Sequence, residues 1–335
     1  MVEKSLAILS SALAERLTHR ALPGELVGFG ANQRAEAAEF LAQTAARRSA
    51  GTAAIALEAL PGDGARRRMR LAIVNDDMPF LVDSVAAAIG ERDVAVDRVI
   101  HPVIRVTRDA DGMLTGIEDA GGASESMIYI ELERIDAKDR RALTDDIEHL
   151  LADVRVAVAD WRTMQAALAA DAGMLDDIGG DSEGASLLRW FLDRHFTLLG
   201  HERWSVDGSL AAEPLGIARH EHEVPLLAER SKRLSIDYFT AGNAAPLLLK
   251  SSLISPVHRR VPLDLLVVPL QTGGRVVGLS IHAGLWTSAA LSAKPRDIPV
   301  LRARLSALEA KFGFDPKGHT GKALTHAIAT LPHDL

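Results

Sequence analysis

The residues best equipped for chemistry fall in one short stretch, Asn75-Asp76-Asp77-Met78-Pro79-Phe80 followed by Leu-Val-Asp83. Three carboxylates so close together could serve general acid–base work, and with His101 they would supply the parts of a hydrolase. A cheaper account is structural. Asn75, Asp76 and Asp77 can accept hydrogen bonds from the free N–H groups of a first helical turn, and Asp83 complements the helix dipole. Pro79 suits that turn because it has no N–H to leave unpaired. A junction of this kind also aims backbone N–H groups and a positive helix end at one spot, where small anions are held. Asn75, Asp76, Asp77, Met78, Pro79 and Phe80 are therefore the candidate effector-binding residues. A second candidate is the loop Ser255-Pro-Val-His258-Arg259-Arg260, which gathers a histidine and two arginines able to hold a carboxylate or phosphate.

Other motifs fail on spacing. Gly28-Phe-Gly30 is followed by Ala-Asn-Gln with no strand before it, so it is not a dinucleotide fingerprint. Gly318-His-Thr-Gly-Lys322 lacks the leading glycine and the following Ser/Thr of a phosphate loop. His220-Glu-His-Glu223 puts two imidazoles at i, i+2 without a third ligand, and a solvated charged loop is the simpler reading. No G-x-S-x-G elbow is present, and the absence of cysteine excludes a thiol nucleophile, thiolate metal sites and disulfides. No catalytic, cofactor-binding or metal-ligating residue is assigned.

The elements that must position these residues are legible from periodicity. Met69-Arg-Leu-Ala-Ile-Val74 alternates as a strand, and Leu81, Val85, Ala88 and Ile89 then mark a helix stopped by Gly90. Upstream, residues 3–20 read as an amphipathic helix with Leu6, Leu9, Leu13 and Leu17 on one face, and a second helix covers about 33–48. Thr52–Ala59 reads as a strand turning at Pro61-Gly-Asp-Gly64 into the Met69 strand. Downstream, Val94, Val96, Ile100, Ile104 and Val106 alternate along a strand that Pro102 marks as an edge or bulge. Asp111-Gly112 turns the chain, Ile128–Leu132 is a strand, and a helix carries Leu143, Ile147, Leu150 and Leu151. Val154, Val156 and Val158 then read as a returning strand. The string is β-α-β-β-α-β with an extra hairpin, the ferredoxin-like split βαβ pattern. After the glycine-rich, acidic boundary at 176–184, strands are expected at 197–206, 246–251, 261–270 and 275–286, and two closing helices carry Leu301–Phe312 and Leu324–Leu331. Residues 211–245 give no clear pattern.

With 335 residues, 47% apolar and 25% charged, the chain can bury ordinary cores in two domains. A net charge of −7 gives no electrostatic reason to bind nucleic acid or an anionic membrane. With no signal peptide and no spanning apolar run in the sequence, a cytoplasmic protein is expected.

Ile73-Val-Asn-Asp-Asp-Met-Pro-Phe-Leu-Val-Asp-Ser84 followed by His101-Pro-Val103 resembles the N-terminal region of the large bacterial NAD-specific glutamate dehydrogenases. The resemblance continues through Phe191–Trp204, Leu249-Lys-Ser-Ser and Val257-His-Arg259. It is strongest in Gly284-Leu-Trp-Thr-Ser288, Pro295-Arg-Asp-Ile-Pro-Val-Leu301 and Gly313-Phe-Asp-Pro316. It spans most of 70–335 and is looser over 1–50. It implies an α+β fold: an N-terminal helical segment (1–51), an ACT-like domain with a linking helix (52–178), a PAS/GAF-like antiparallel domain (182–290) and C-terminal helices leading to the remainder (291–335). It further implies a noncatalytic regulatory and oligomerisation segment, inactive alone, whose parent uses NAD to deaminate L-glutamate to 2-oxoglutarate. The partners implied are a second copy of the chain, the parent's C-terminal catalytic region and an amino-acid effector. A free-standing ACT-type amino-acid-binding regulator is the alternative. Amino-acid-binding ACT domains resemble D-x-P-G-L at the junction, where glycine admits the ligand. Here Phe80 stands at that place.

Overall fold

In the computed structural model, which describes residues 2–19, 21, 23–61, 67–118, 120–178 and 182–330, the chain divides into two compact units. The first comprises residues up to Arg155 together with Pro256–Arg260, and the second comprises the rest. Both are α+β with antiparallel sheets.

The first unit begins with α1 (Val2–Arg16) and α2 (Ala31–Ala45). Then follow β1 (Ala54–Ala59), β2 (Met69–Asp76), α3 (Leu81–Gly90), β3 (Val96–Ile100), β4 (Val103–Arg108), β5 (Leu114–Glu118), β6 (Ala123–Leu132) and the start of α4 (Ala137–Ile178). The sheet order is β1-β2-β6-β4-β5, with β3 also paired to β6. Leu71, Ala72, Ile73 and Val74 are all buried, so β2 is covered on both faces. Ala72 and Val74 share one core with Leu13 and Leu17 of α1, Phe40 and Leu41 of α2, and Met127 and Tyr129 of β6. The helices expected as a separate segment over 1–51 thus close one face of this sheet. Leu71, Ile73, Ile128 and Ile130 are buried on the other, left for α3 and the first half of α4 with their buried Val85, Ile89, Leu143 and Ile147.

Two readings need correction. Val154, Val156 and Val158 are not a strand; they lie inside the 42-residue α4. The physical reason is a continuous helical stripe in which Leu143, Ile147, Leu150, Val154, Ala157, Met164, Leu168 and Leu175 are all buried. That stripe outweighs a three-residue alternation of valines. The closing strand of a β-α-β-β-α-β string is therefore absent, and the edge beside β2 is taken by β1 from upstream. The long strand expected through Pro102 is broken at His101-Pro102 into β3 and β4, because proline cannot donate to the ladder; its carbonyl instead accepts from the Met127 N–H at 3.0 Å.

The second unit takes the rest of α4, α5 (Ser182–Trp190), a π-helical turn at Phe191–His195, β7 (Phe196–Ser205), β8 (Leu215–Gly216), α6 (Glu229–Thr240) and β9 (Leu247–Ile254). It ends with β10 (Pro262–Thr272), β11 (Arg275–Trp286), α7 (Ser288–Leu291), α8 (Leu301–Phe312) and α9 (His319–Thr330). The sheet order is β8-β7-β11-β10-β9. The stretch 211–245, unreadable by pattern, holds the short β8 and α6. Met164, Leu168 and Leu175 of α4 pack with Phe191, Phe196, Leu198, Leu266 and Val268. The expected turn at 62–64, the centre of the 176–184 boundary and Leu331 lie outside the described residues. Among the described residues no helix is long and apolar enough to cross a membrane.

Candidate functional site

β2 and β6 pair in a register that sets Asp76 directly opposite Glu125. Two facing carboxylates repel, so the junction folds only if cations lie between them. Arg48, just beyond α2, supplies the first. Its side chain is 4% exposed, with Nη2 2.7 Å from Asp76 Oδ1 and 2.5 Å from Glu125 Oε1, while Nη1 donates to the Thr52 carbonyl at 2.8 Å. Arg108 grips Glu125 with two parallel bonds of 2.8 Å, the fork geometry that suits a carboxylate. Arg155 of α4 pairs with the other oxygen of Asp76 and donates to Asn75 Oδ1. The Asn75 amide donates to the Asp76 carbonyl at 3.0 Å. Gly112 secures Arg48 from behind. Its carbonyl accepts the Arg48 N–H at 3.0 Å, its φ is +79°, and a Cβ there would lie 2.4 Å from the Arg48 carbonyl oxygen.

The electrostatics follow from this packing. Burial alone would raise the Asp76 carboxyl, but hydrogen bonds from Arg48 and Arg155 outweigh it and hold the group below the usual carboxylate range. Burial would lower Arg48, and its bonds to Asp76 and Glu125 raise it instead. A carboxylate so paired makes a poor general base at neutral pH. Burial lowers the His101 imidazole, partly offset by the charge of Asp77.

The aspartates do not cap the helix. The N-cap of α3 is Phe80, with no side-chain capping bond, and the expected caps are engaged elsewhere. Asp77 continues the strand pairing, its N–H donating to the Ser124 carbonyl at 3.1 Å and its Oδ1 accepting from Ser126 at 2.7 Å. Asp83 does sit in the first turn of α3. Pro79 precedes Phe80 and so lies before the helix. The helix starts only at Leu81, so Asp76 and Asp77 precede its cap and their side chains pair with Arg48, Arg155 and Ser126 instead.

Phe80 adopts φ +72° and ψ −2°, the left-handed region that costs an ordinary residue about 1–2 kcal/mol. The backbone keeps the shape that glycine would take, and the ring fills the space glycine would leave. It stacks on His258 with ring centroids 5.4 Å apart. The His258 N–H donates to Ser84 Oγ of α3 at 2.8 Å, and its Nδ1 lies 3.5 Å from Asp83. Arg260 pairs with Glu91 at 2.6 Å, and Arg259 is partnered as well. The fold thus brings together the two candidates named separately in the sequence, Asn75–Phe80 and His258–Arg260, within the first unit. A cleft of about 560 Å³ in that unit is lined by Arg92, Asp93, Glu133 and Asp136 and by no residue of the junction.

Local pattern missed Arg48, Arg108, Arg155 and Glu125, since their partners lie 17 to 80 positions away. It also missed a buried polar cluster in the second unit, where Asp171, His201, Ser280 and His282 meet between α4, β7 and β11. Burial and the neighbouring His282 push the His201 imidazole down to about 3. Burial raises Asp171, but bonds from His282 and Ser280 and the charge of Arg203 prevail and leave it lowered.

Comparison with known proteins accounts for the pattern. A family model described as glutamate dehydrogenase, ACT1 domain, matches residues 13–147, and one described as glutamate dehydrogenase, helical motif 1, matches 298–334. The NAD-specific glutamate dehydrogenase of Pseudomonas aeruginosa is 34% identical over 291 residues, covering 78% of this chain and 18% of that protein. That of Halomonas elongata is 29% identical over 79% of this chain and 18% of its own length, and that of Mycobacterium tuberculosis 27% over 78% and 16%. The chain therefore spans less than a fifth of the curated relatives it matches. Among solved structures, an RNA-binding light-oxygen-voltage receptor aligns over 89% of this chain and 90% of that one at 11% identity, with a TM-score of 0.20, too low to assign a fold. The two family models together take in slightly more than half of the residues, and the chain belongs to the NAD-specific glutamate dehydrogenase family, corresponding to the N-terminal region of the large enzyme.

Proposed function

We propose that this chain is a noncatalytic regulatory and oligomerisation segment of a NAD-specific glutamate dehydrogenase. The NAD-binding catalytic region of the parent would oxidatively deaminate L-glutamate to 2-oxoglutarate in the cytoplasm. The segment acts through a second copy of itself and through that catalytic region. Its first unit is an ACT-like, ferredoxin-like domain whose fourth-strand position is filled by β1. Its second is PAS-like, a reading supported by a five-stranded antiparallel sheet with α4 packed on it.

One observation carries the regulatory-scaffold reading over an effector sensor. Asn75 and Asp76 are bound by Arg48 and Arg155, and Phe80 under His258 occupies the approach a small ligand would use. The six residues from Asn75 to Phe80 and the three from His258 to Arg260 then serve as an internal clasp. Two experiments test this. The isolated chain with NAD and L-glutamate is expected to show no NADH formation, and appreciable turnover would overturn the noncatalytic assignment. Sedimentation is expected to show a self-associating species, and a clean monomer at high concentration would remove the assembly role.

A further inference from the structure

The cluster in the second unit differs in kind from the clasp, because its donors converge. β7 and β11 pair with His201 opposite His282, and the two rings stack with centroids 4.4 Å apart. Asp171 comes from α4. His282 Nε2 lies 2.7 Å from Asp171 Oδ2 and 3.4 Å from Ser280 Oγ, which in turn lies 2.9 Å from His201 Nε2. All four residues are at most 4% exposed.

This is not a nucleophilic triad. A serine–histidine–aspartate relay runs through opposite ring nitrogens, with the carboxylate on Nδ1 and the hydroxyl on Nε2. Here both contacts of His282 fall on Nε2, and its buried Nδ1 has no hydrogen-bond partner among the described residues. Nor is there access for a substrate. What remains is a set of potential ligand atoms gathered in one place, in which His282 Nε2 would give up the proton it shares with Asp171 to bind an ion. One ligand atom each from Asp171, His201 and His282 lies within 4.8 Å of the others. A side-chain shift of roughly an ångström brings them to the distances of about 2.0–2.2 Å that zinc takes from imidazole and carboxylate. Arg203 holds the second oxygen of Asp171 at 3.0 Å, the outer support that orients a ligating carboxylate.

We propose that Asp171, His201 and His282 form a structural site for a divalent transition metal of the zinc class, with the Ser280 hydroxyl as the neighbouring fourth donor. Two imidazoles and one carboxylate without thiolate suit Zn²⁺, Co²⁺ or Fe²⁺ rather than Ca²⁺. Full burial and ligands from a helix and two strands assign the ion to clamping α4 onto the β7–β11 pair.

The test is a Co²⁺ and Zn²⁺ titration of the untagged, EDTA-treated chain, read by the visible absorption of bound Co²⁺ and by Tm. One Co²⁺ per chain is expected, with Zn²⁺ displacing it and raising Tm. His201→Gln and His282→Gln, each checked for folding by circular dichroism, should lose the band. A His220→Ala/His222→Ala double variant, which removes the other close pair of histidines, should keep it. Absence of stoichiometric uptake by the wild-type chain overturns the proposal whatever the variants do. So does uptake that survives both glutamine variants or disappears in the His220/His222 variant.

Discussion

The two sheets solve the same problem, polar groups buried at a strand pair, in opposite ways. In the first unit Asp76 and Glu125 face each other and three arginines bind them, so every carboxylate oxygen has an arginine donor. In the second unit His201 and His282 face each other with one carboxylate and one hydroxyl, and both Nε2 atoms turn toward those oxygens. Guanidinium groups close a site because they only donate; imidazoles leave it able to accept an ion. A clasp and a receptacle can thus be distinguished by donor type before any ligand is seen.

The largest expected effect comes from opening the clasp. Arg48→Met removes the one cation that, among the described residues, bonds both Asp76 and Glu125, and should cost about 3–5 kcal/mol in urea unfolding, because the buried Glu125 is left under-compensated beside Asp76. In the metal-free chain Asp171→Asn should cost less, about 1–3 kcal/mol, since its cationic partner Arg203 is partly exposed and the amide can still hydrogen-bond. Equal losses would erase the distinction drawn between the two clusters.

Phe80 gives a finer discrimination. Phe80→Ala keeps the left-handed strain and loses the ring stack, a net cost of about 0.5–1.5 kcal/mol. Phe80→Gly loses the stack but relieves strain of about 1–2 kcal/mol, so it should be close to wild type and more stable than the alanine variant. Comparison of urea midpoints decides this, and alanine outperforming glycine would show that φ +72° is not what the position demands.

The smallest effect is the pH dependence of Asp76. Its folded pKa is lowered, so its contribution is complete above the unfolded value of about 3.9 and is lost as pH falls through the folded one. The stability gap between wild type and Asp76→Asn, measured by urea midpoints, should be constant from pH 7 to about 5 and narrow below about 4. A third of this side chain is exposed, so the change is modest.

Much of the fold was written locally. β2, α3 and the Asp111-Gly112 hairpin joining β4 to β5 follow from alternation, helical spacing and turn residues. The valines at 154–158 misled because Val154 belongs to two periods at once, and only the stripe continuing to Leu175 decides between them. The clasp was half visible: Asn75–Phe80 stood out, but Arg48, 28 positions before Asp76 and 77 before Glu125, did not. The Asp171–His282 contact spans 111 positions, and the register that sets His201 against His282 is a property of sheet pairing that no short motif records.

The central claim, that the junction is closed by the chain's own residues, is tested most directly by isothermal titration with each of the common amino acids at neutral pH. Heats indistinguishable from dilution are expected for all of them. A saturable isotherm that Asn75→Ala abolishes while the fold is retained would contradict it and make Asn75–Phe80 a sensor after all.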